Sequence, residues 1–254
     1  MNVRDTLVEA GDDLPYQRFR DLVDLGEDAV PDLVAVLSDP ELRRVDGPAD
    51  GYAPVHACDV LDAIHSPAAV RPLLEALVAS DPAGSLYDAA FAALEGFGEL
   101  ALEDTLRVAG DKDPKSADAG AELLSRLGVR DARILDVLVA GLARRPVVYA
   151  GYLADYGDPA ALPALQRALA LQPLPDDLRY PAGQVILELA SAIEALDGTV
   201  GATAEHKQQQ ILRARARQGA PVHRLLAGDR PEAPCWCGSG KRYAACHRSR
   251  DRHP

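Results

Sequence analysis

Apolar pairs recur along the chain at a helical repeat distance. One set is Leu22/Val23, Val60/Leu61, Ala93/Leu94, Leu123/Leu124 and Tyr152/Leu153, with steps of 38, 33, 30 and 29 residues. A second set interleaves with it: Leu33/Val34, Leu73/Leu74, Thr105/Leu106, Leu138/Val139 and Leu165/Gln166, each 11 to 15 residues after its partner. Within a set the spacing is i, i+3, i+4, as in Phe19, Leu22, Val23 and in Ala57, Val60, Leu61. That spacing places the side chains on one face of a helix. The pattern predicts a repeated unit of short helix, tight turn, short helix, turn.

The punctuation agrees. Pro31, Pro72 and Pro163 fall near the starts of the second helices, where a missing N–H costs little. Gly26, Gly98, Gly128 and Gly157 follow the first helices, where the chain turns with positive φ. Asp-Pro stands at 39–40, 81–82, 113–114 and 158–159, between units. Leu37 to Val55 encloses the long SDPELRRVDGPADGYAP, which stretches the first step and reads either as a binding lip or as an insertion. After an irregular PLPDDLRYPAGQ (173–184), VILELASAIEALDG (185–198) predicts an apolar helix that packs down as a cap. HKQQQILRARARQGA then predicts a basic helix whose apolar anchors are Ile211 and Leu212. RLLAGDRPEAP reads as a linker, with a boundary near residue 228. The expected division is 1–200 helical repeats, 201–228 basic helix and linker, and 229–254 a small terminal module.

The phrases LGEDAVPDLVAVLSDP, IHSPAAVRPLLEALVASDP and YGDPAALPALQRAL resemble HEAT-like repeats, in particular the short class named after phycobilisome lyases. The resemblance covers about residues 14–172. It implies an all-α fold, a HEAT-like α-solenoid whose second helices line a concave protein-binding surface. It does not imply lyase activity.

Charge divides the 254-residue chain. Residues 205–254 hold 11 basic and 4 acidic side chains, whereas residues 1–204 hold 16 basic and 35 acidic. An acidic body repels nucleic-acid phosphates and suits a basic protein segment, so only the tail is a candidate for RNA. No stretch approaches the length of an apolar membrane span, and the opening MNVRDTLVEAGDD has no long apolar run of the secretory kind. A cytoplasmic protein without disulfides is the expectation.

The tail reads APCWCGSGKRYAACHRSRD. Cys235 and Cys237 are one residue apart, and eight residues separate them from Cys246 and the adjacent His247. Three thiolates and an imidazole make a complete set for tetrahedral Zn²⁺, and a closed shell makes the metal structural. Gly238 and Gly240 allow a tight turn behind the first pair, and backbone N–H groups around Gly238–Lys241 are placed to donate to the sulfurs. Metal binding would supply folding energy to a segment with almost no core. The string is similar to the SEC-C motif, the zinc knuckle of the bacterial preprotein translocase motor. It matches at the four ligands, at GSGK and at Tyr243, and departs at Trp236 and at Ala244-Ala245, where that family favours lysines. The similarity implies Cys235, Cys237, Cys246 and His247 as ligands, preferring His247 to His253, which the spacing alone leaves as an alternative fourth ligand. It also implies docking to proteins such as an export chaperone or the ribosome.

Other candidates were read in the same way. Trp236 either anchors a partner or covers its own knuckle. Arg213, Arg215, Arg217, Arg224, Arg230, Arg248, Arg250 and Arg252 either meet RNA or an acidic partner, or lie solvated or on the acidic body. Cys58 reads as a small buried hydrophobe, and His56, Asp59 and His65 as helical neighbours without a third group. HExxH, GxxxxGK[ST] and GxSxG are absent. The expectation is a non-enzymatic adaptor. The alternatives are a lyase-like enzyme subunit using the concave face, and an RNA or ribosome binder using the tail.

Overall fold

In the computed structural model, which describes residues 2–178 and 180–217, all regular structure is helical. Thirteen α-helices occur among the described residues, and the chain divides into two compact units, Met1–Val137 and Leu138–Pro254.

The first unit opens with α1 (Val3–Ala10) and continues with α2 (Tyr16–Val23), α3 (Val30–Ser38), α4 (Ala53–Ile64), α5 (Val70–Ala79), α6 (Ser85–Phe97), α7 (Leu102–Ala109) and α8 (Pro114–Arg126). The first helices of successive hairpins touch one another, α2 with α4, α4 with α6 and α6 with α8. The second helices do the same, α3 with α5 and α5 with α7. The two ranks then close on each other through α3 with α4, α5 with α6 and α7 with α8. The apolar pairs are the reason. Leu22, Leu33, Val60, Leu61, Leu73, Leu94, Leu123 and Leu124 are each fully buried between the ranks. Each buried side chain of this size stabilises the fold by ~1.5–3 kcal/mol relative to exposure.

The turns repeat as closely as the helices. A short 3₁₀ turn leads into the second helix at Gly26–Ala29, Pro67–Ala69, Gly98–Ala101 and Pro159–Ala161. Each ends on a buried alanine (Ala29, Ala69, Ala101, Ala161) followed by Val30, Val70, Leu102 or Leu162. The four glycines expected after the first helices, Gly26, Gly98, Gly128 and Gly157, all have positive φ, between 51° and 70°. In the second hairpin His65 takes that place in the left-handed region, φ 58°, and its ring stacks on Phe97 at 4.6 Å. The aspartates of the Asp-Pro pairs each hold a turn. Asp39, Asp81 and Asp158 accept the N–H two residues on, and Asp113 caps α8 by accepting from Ser116 N and Ser116 Oγ at 2.9 and 2.8 Å.

The apolar pattern did not anticipate α1, which is too short to show a period. It packs on α3, on α4 and on the 3₁₀ turn Pro48–Gly51, burying Val3 and Leu7. The long connection between α3 and α4 is therefore not loose. Its Leu42 is fully buried and Arg43 Nε donates to Leu37 O at 2.9 Å.

Helix α9 (Ala132–Gly141) spans the division between the units. The second unit holds α10 (Pro146–Tyr156), α11 (Leu162–Ala170), α12 (Gln184–Ala195) and α13 (Ala202–Arg217). Helix α12 packs against both α10 and α11, as the apolar run at 185–198 predicts, and buries Ile186, Leu189, Ala190 and Ile193. Gly141 lies under the Tyr149 ring, where a Cβ would come within 1.9 Å of ring carbon.

Candidate metal centre and its mount

Helix α13 precedes the four candidate ligands in the chain. Three kinds of contact fix it. Ile211 and Leu212 are buried, as expected of its two apolar residues, and α13 packs on α12. Ile211 sits on Gly183, whose φ of 79° and missing Cβ make room for it; a Cβ there would lie 2.6 Å from Ile211 Cδ1. Lys207 Nζ donates to Gln172 O at 2.6 Å, tying the helix to the irregular stretch after α11.

The third contact is Arg215. The sequence groups it with the solvated or surface-lying arginines, but it is only 3% exposed. Nη1 donates to Gln184 Oε1 at 2.9 Å and Nη2 to Ala182 O at 3.1 Å, and the guanidinium lies 5.3 Å from the centre of the Tyr180 ring. Gln184 in turn donates to Glu188. Arg215 Nε is buried without a partner. Burial, the largest influence, pulls its pKa below the usual arginine value, opposed by Tyr180 and Glu188. The signal for this role is the three-residue step from Leu212, which puts Arg215 on the same helix face as the apolar anchors. A long cationic side chain there buries its stem and hydrogen-bonds its head.

Cys235, Cys237, Cys246 and His247 lie outside the described residues, as do Trp236, His253 and Arg224, Arg230, Arg248, Arg250 and Arg252. The donor set itself is the test of fit available. Three thiols and one imidazole match the preference of Zn²⁺ for sulfur and nitrogen and leave no coordination position open.

Among the described residues no three His, Cys, Asp or Glu side chains gather in a group able to hold a metal. Cys58 is fully buried, as its place on the apolar face of α4 predicts, and burial pushes its thiol pKa up strongly. His56 Nε2 lies 3.0 Å from Gly11 O, pinning the end of α1 to α4, while His65 faces Phe97. Asp59 and Asp62 both have raised pKa values, chiefly from burial. His56 and His65 thus make separate contacts, one with the end of α1 and one with α6. No helix among the described residues is long and apolar enough to cross a membrane.

No curated protein matches the chain. The profile of the SEC-C motif, a metal-binding motif, matches residues 233–249, a span that contains all four candidate ligands together with Gly238, Gly240 and Tyr243.

Proposed function

We propose that this protein is a non-enzymatic adaptor of the cytoplasm, in which a HEAT-like α-solenoid carries a zinc-holding SEC-C knuckle. The observation that carries the reading is the coincidence of the motif match at 233–249 with a closed Cys₃His donor set. Cys235, Cys237, Cys246 and His247 would hold the Zn²⁺, whose role is to fix the fold of a segment too short to have a core. The two ranks of helices in the first unit support the solenoid, since each helix of a rank touches its predecessor in that rank. The acidic body favours partners with basic segments. The knuckle would dock a second protein, with export, chaperone or ribosomal components as the partner classes.

Ile211, Leu212 and Arg215 hold α13, the last described helix before the motif, to the second unit.

The test is the single substitution Cys237→Ser. Zinc measured by atomic emission should fall from about one per chain to near zero. The far-UV circular dichroism of the helical units should stay unchanged, and partner recovery from native cytosol should match that of chelator-treated wild type. Unchanged zinc in the variant refutes the reading.

A further inference from the structure

Helices α5 and α7 lie side by side in the second rank without closing fully on each other. They leave a groove of about 340 Å³. Its floor is apolar: Leu74 is buried, and Val78 and Val108 are half-buried. Its rims carry charge that is mostly self-contained. Arg71 pairs with Glu75 one turn along α5 at 3.5 Å, and Arg107 pairs with Asp104 along α7. Asp111 is the exception among the lining carboxylates. It accepts Asp113 N at 2.8 Å but faces no cation, and it stands just past the carboxyl end of α7. Ser116 of α8 lines the groove at the same end, and the neighbouring Lys115 Nζ donates to Ser80 O, just past α5, at 2.8 Å. A helix carboxyl end carries partial negative charge, which Asp111 reinforces. The groove's own lining holds three carboxylates, Glu75, Asp104 and Asp111, against Arg71 and Arg107, and the first unit as a whole, residues 1–137, holds 28 acidic and 12 basic side chains. A field of that sign draws in cationic chains and turns anionic ones away.

We infer that the groove between α5 and α7 is a docking slot for a partner-protein segment that pairs apolar anchors with lysine or arginine. The anchors fill the floor over Leu74, Val78 and Val108, and the flanking cation lies at the Asp111 end. This deepens the adaptor reading and rests on it for the existence of a protein partner, but it assigns the place and the chemistry independently of the tail. Shape and charge divide the work. The apolar floor supplies affinity by removing side chains from water. The acidic surroundings supply association rate and selection against acidic sequences.

The experiment is fluorescence anisotropy on the full chain with a fluorescein-labelled decapeptide, Gly-Ser-Lys-Leu-Lys-Leu-Lys-Ser-Gly-Ser. The same peptide with serine for leucine tests the floor, and with glutamate for lysine tests the charge. Both should bind at least tenfold more weakly. Val108→Lys should weaken the parent peptide at least fivefold, and so should Ala79→Lys, which alters an exposed lining residue and spares the core. Tyr16→Lys adds the same charge at a 73% exposed position on α2, outside the groove, and should change binding less than twofold. The slot is overturned if the serine peptide binds as well as the parent, if Tyr16→Lys weakens binding as much as the groove variants, or if the parent peptide does not bind. If it is overturned while a chelator still strips partners from the chain, the adaptor reading stands without it. Loss of the adaptor reading through absent zinc leaves the anisotropy result untouched.

Discussion

Helices α7 and α8 approach backbone to backbone at Gly120, and Gly120→Ala measures that approach. A Cβ on Gly120 of α8 would lie 2.5 Å from Ala109 N, 2.8 Å from Ala109 Cα and 3.0 Å from Val108 C. All three are backbone atoms of α7 or its last residue, so no side-chain rotation relieves the clash. Non-bonded heavy atoms rest at ~3.5–4.0 Å, which leaves the new methyl about 1 Å short. The helices must part by a comparable distance. A gap of that size forfeits roughly a quarter to a half of each contact's attraction along the seam. Thr105, Ala109, Ala117 and Leu124 are buried on these two helices and share that loss. Overpacking of this kind costs ~1–3 kcal/mol and sometimes more. Alanine's better helix propensity returns ~1 kcal/mol. Because all three close atoms are backbone, the cost falls in the upper part of that range, about 2–3 kcal/mol, so the net expectation is a loss of about 1–2 kcal/mol, or a fall in Tm of roughly 3–8 °C by calorimetry for a unit of this size. Gly151→Ala is the internal control. It is also helical, on α10, but nothing lies within 4 Å of its added Cβ. There the propensity gain of ~1 kcal/mol acts alone and Tm should rise. A Gly120→Ala protein as stable as wild type, or two variants that shift the same way, would refute the close approach of α7 and α8.

Three further outcomes follow from single groups. The chain has four cysteines, and the thiol reagent DTNB should find none of them in the zinc-loaded protein at pH 8, three after chelation, and four only in denaturant, because Cys58 is buried and its thiol pKa is raised; three reactive thiols before chelation would contradict metal binding by the tail. Arg215→Met keeps the packing stem and removes a buried cation with an unpartnered Nε, so it should alter the urea stability of the second unit by less than ~1 kcal/mol, whereas Arg215→Ala should cost ~2–3 kcal/mol and speed amide exchange across α13; equal effects would show that the stem contributes nothing. Asp62 has its pKa raised by burial against α6, so the folded state holds its proton to higher pH than the unfolded state and ionisation works against folding. Asp62→Asn should therefore raise Tm at pH 7, with the gain shrinking as the pH falls into the range where the wild-type carboxylate is already protonated; a gain that grows toward acid would reverse the assignment.

What the sequence revealed about this fold depended on how far apart the interacting residues are. The pairs from Leu22/Val23 to Leu165/Gln166 all fall on helices, because a stacked hairpin buries its contacts at a near-constant interval and that interval appears as a period. Gly98 and Gly157 announce their corners because the left-handed turn selects them. At His65 the same turn is invisible, since a histidine held there by its stack on Phe97 leaves no glycine to read. The 3₁₀ corners were legible in principle, as a small residue before Val or Leu at Ala29, Ala69, Ala101 and Ala161, but alanine is too common here to stand out until the burial pattern is known. Contacts between distant, aperiodic residues left no trace at all. Helix α1 meets α4 through His56 and Gly11, 45 residues apart, and Arg215 meets Ala182 across 33. The candidate metal centre lies at the opposite extreme. Its four donors fall within thirteen consecutive residues, so their chemistry is written locally and was read without any knowledge of the fold. The α5–α7 groove belongs with the hidden class. Leu74, Val78 and Val108 look like ordinary core residues in a period of apolar positions, and only the incomplete closure of the two helices turns them into a surface. In a chain built from recurring hairpins, it is the departures from the repeat that a period of apolar positions does not show.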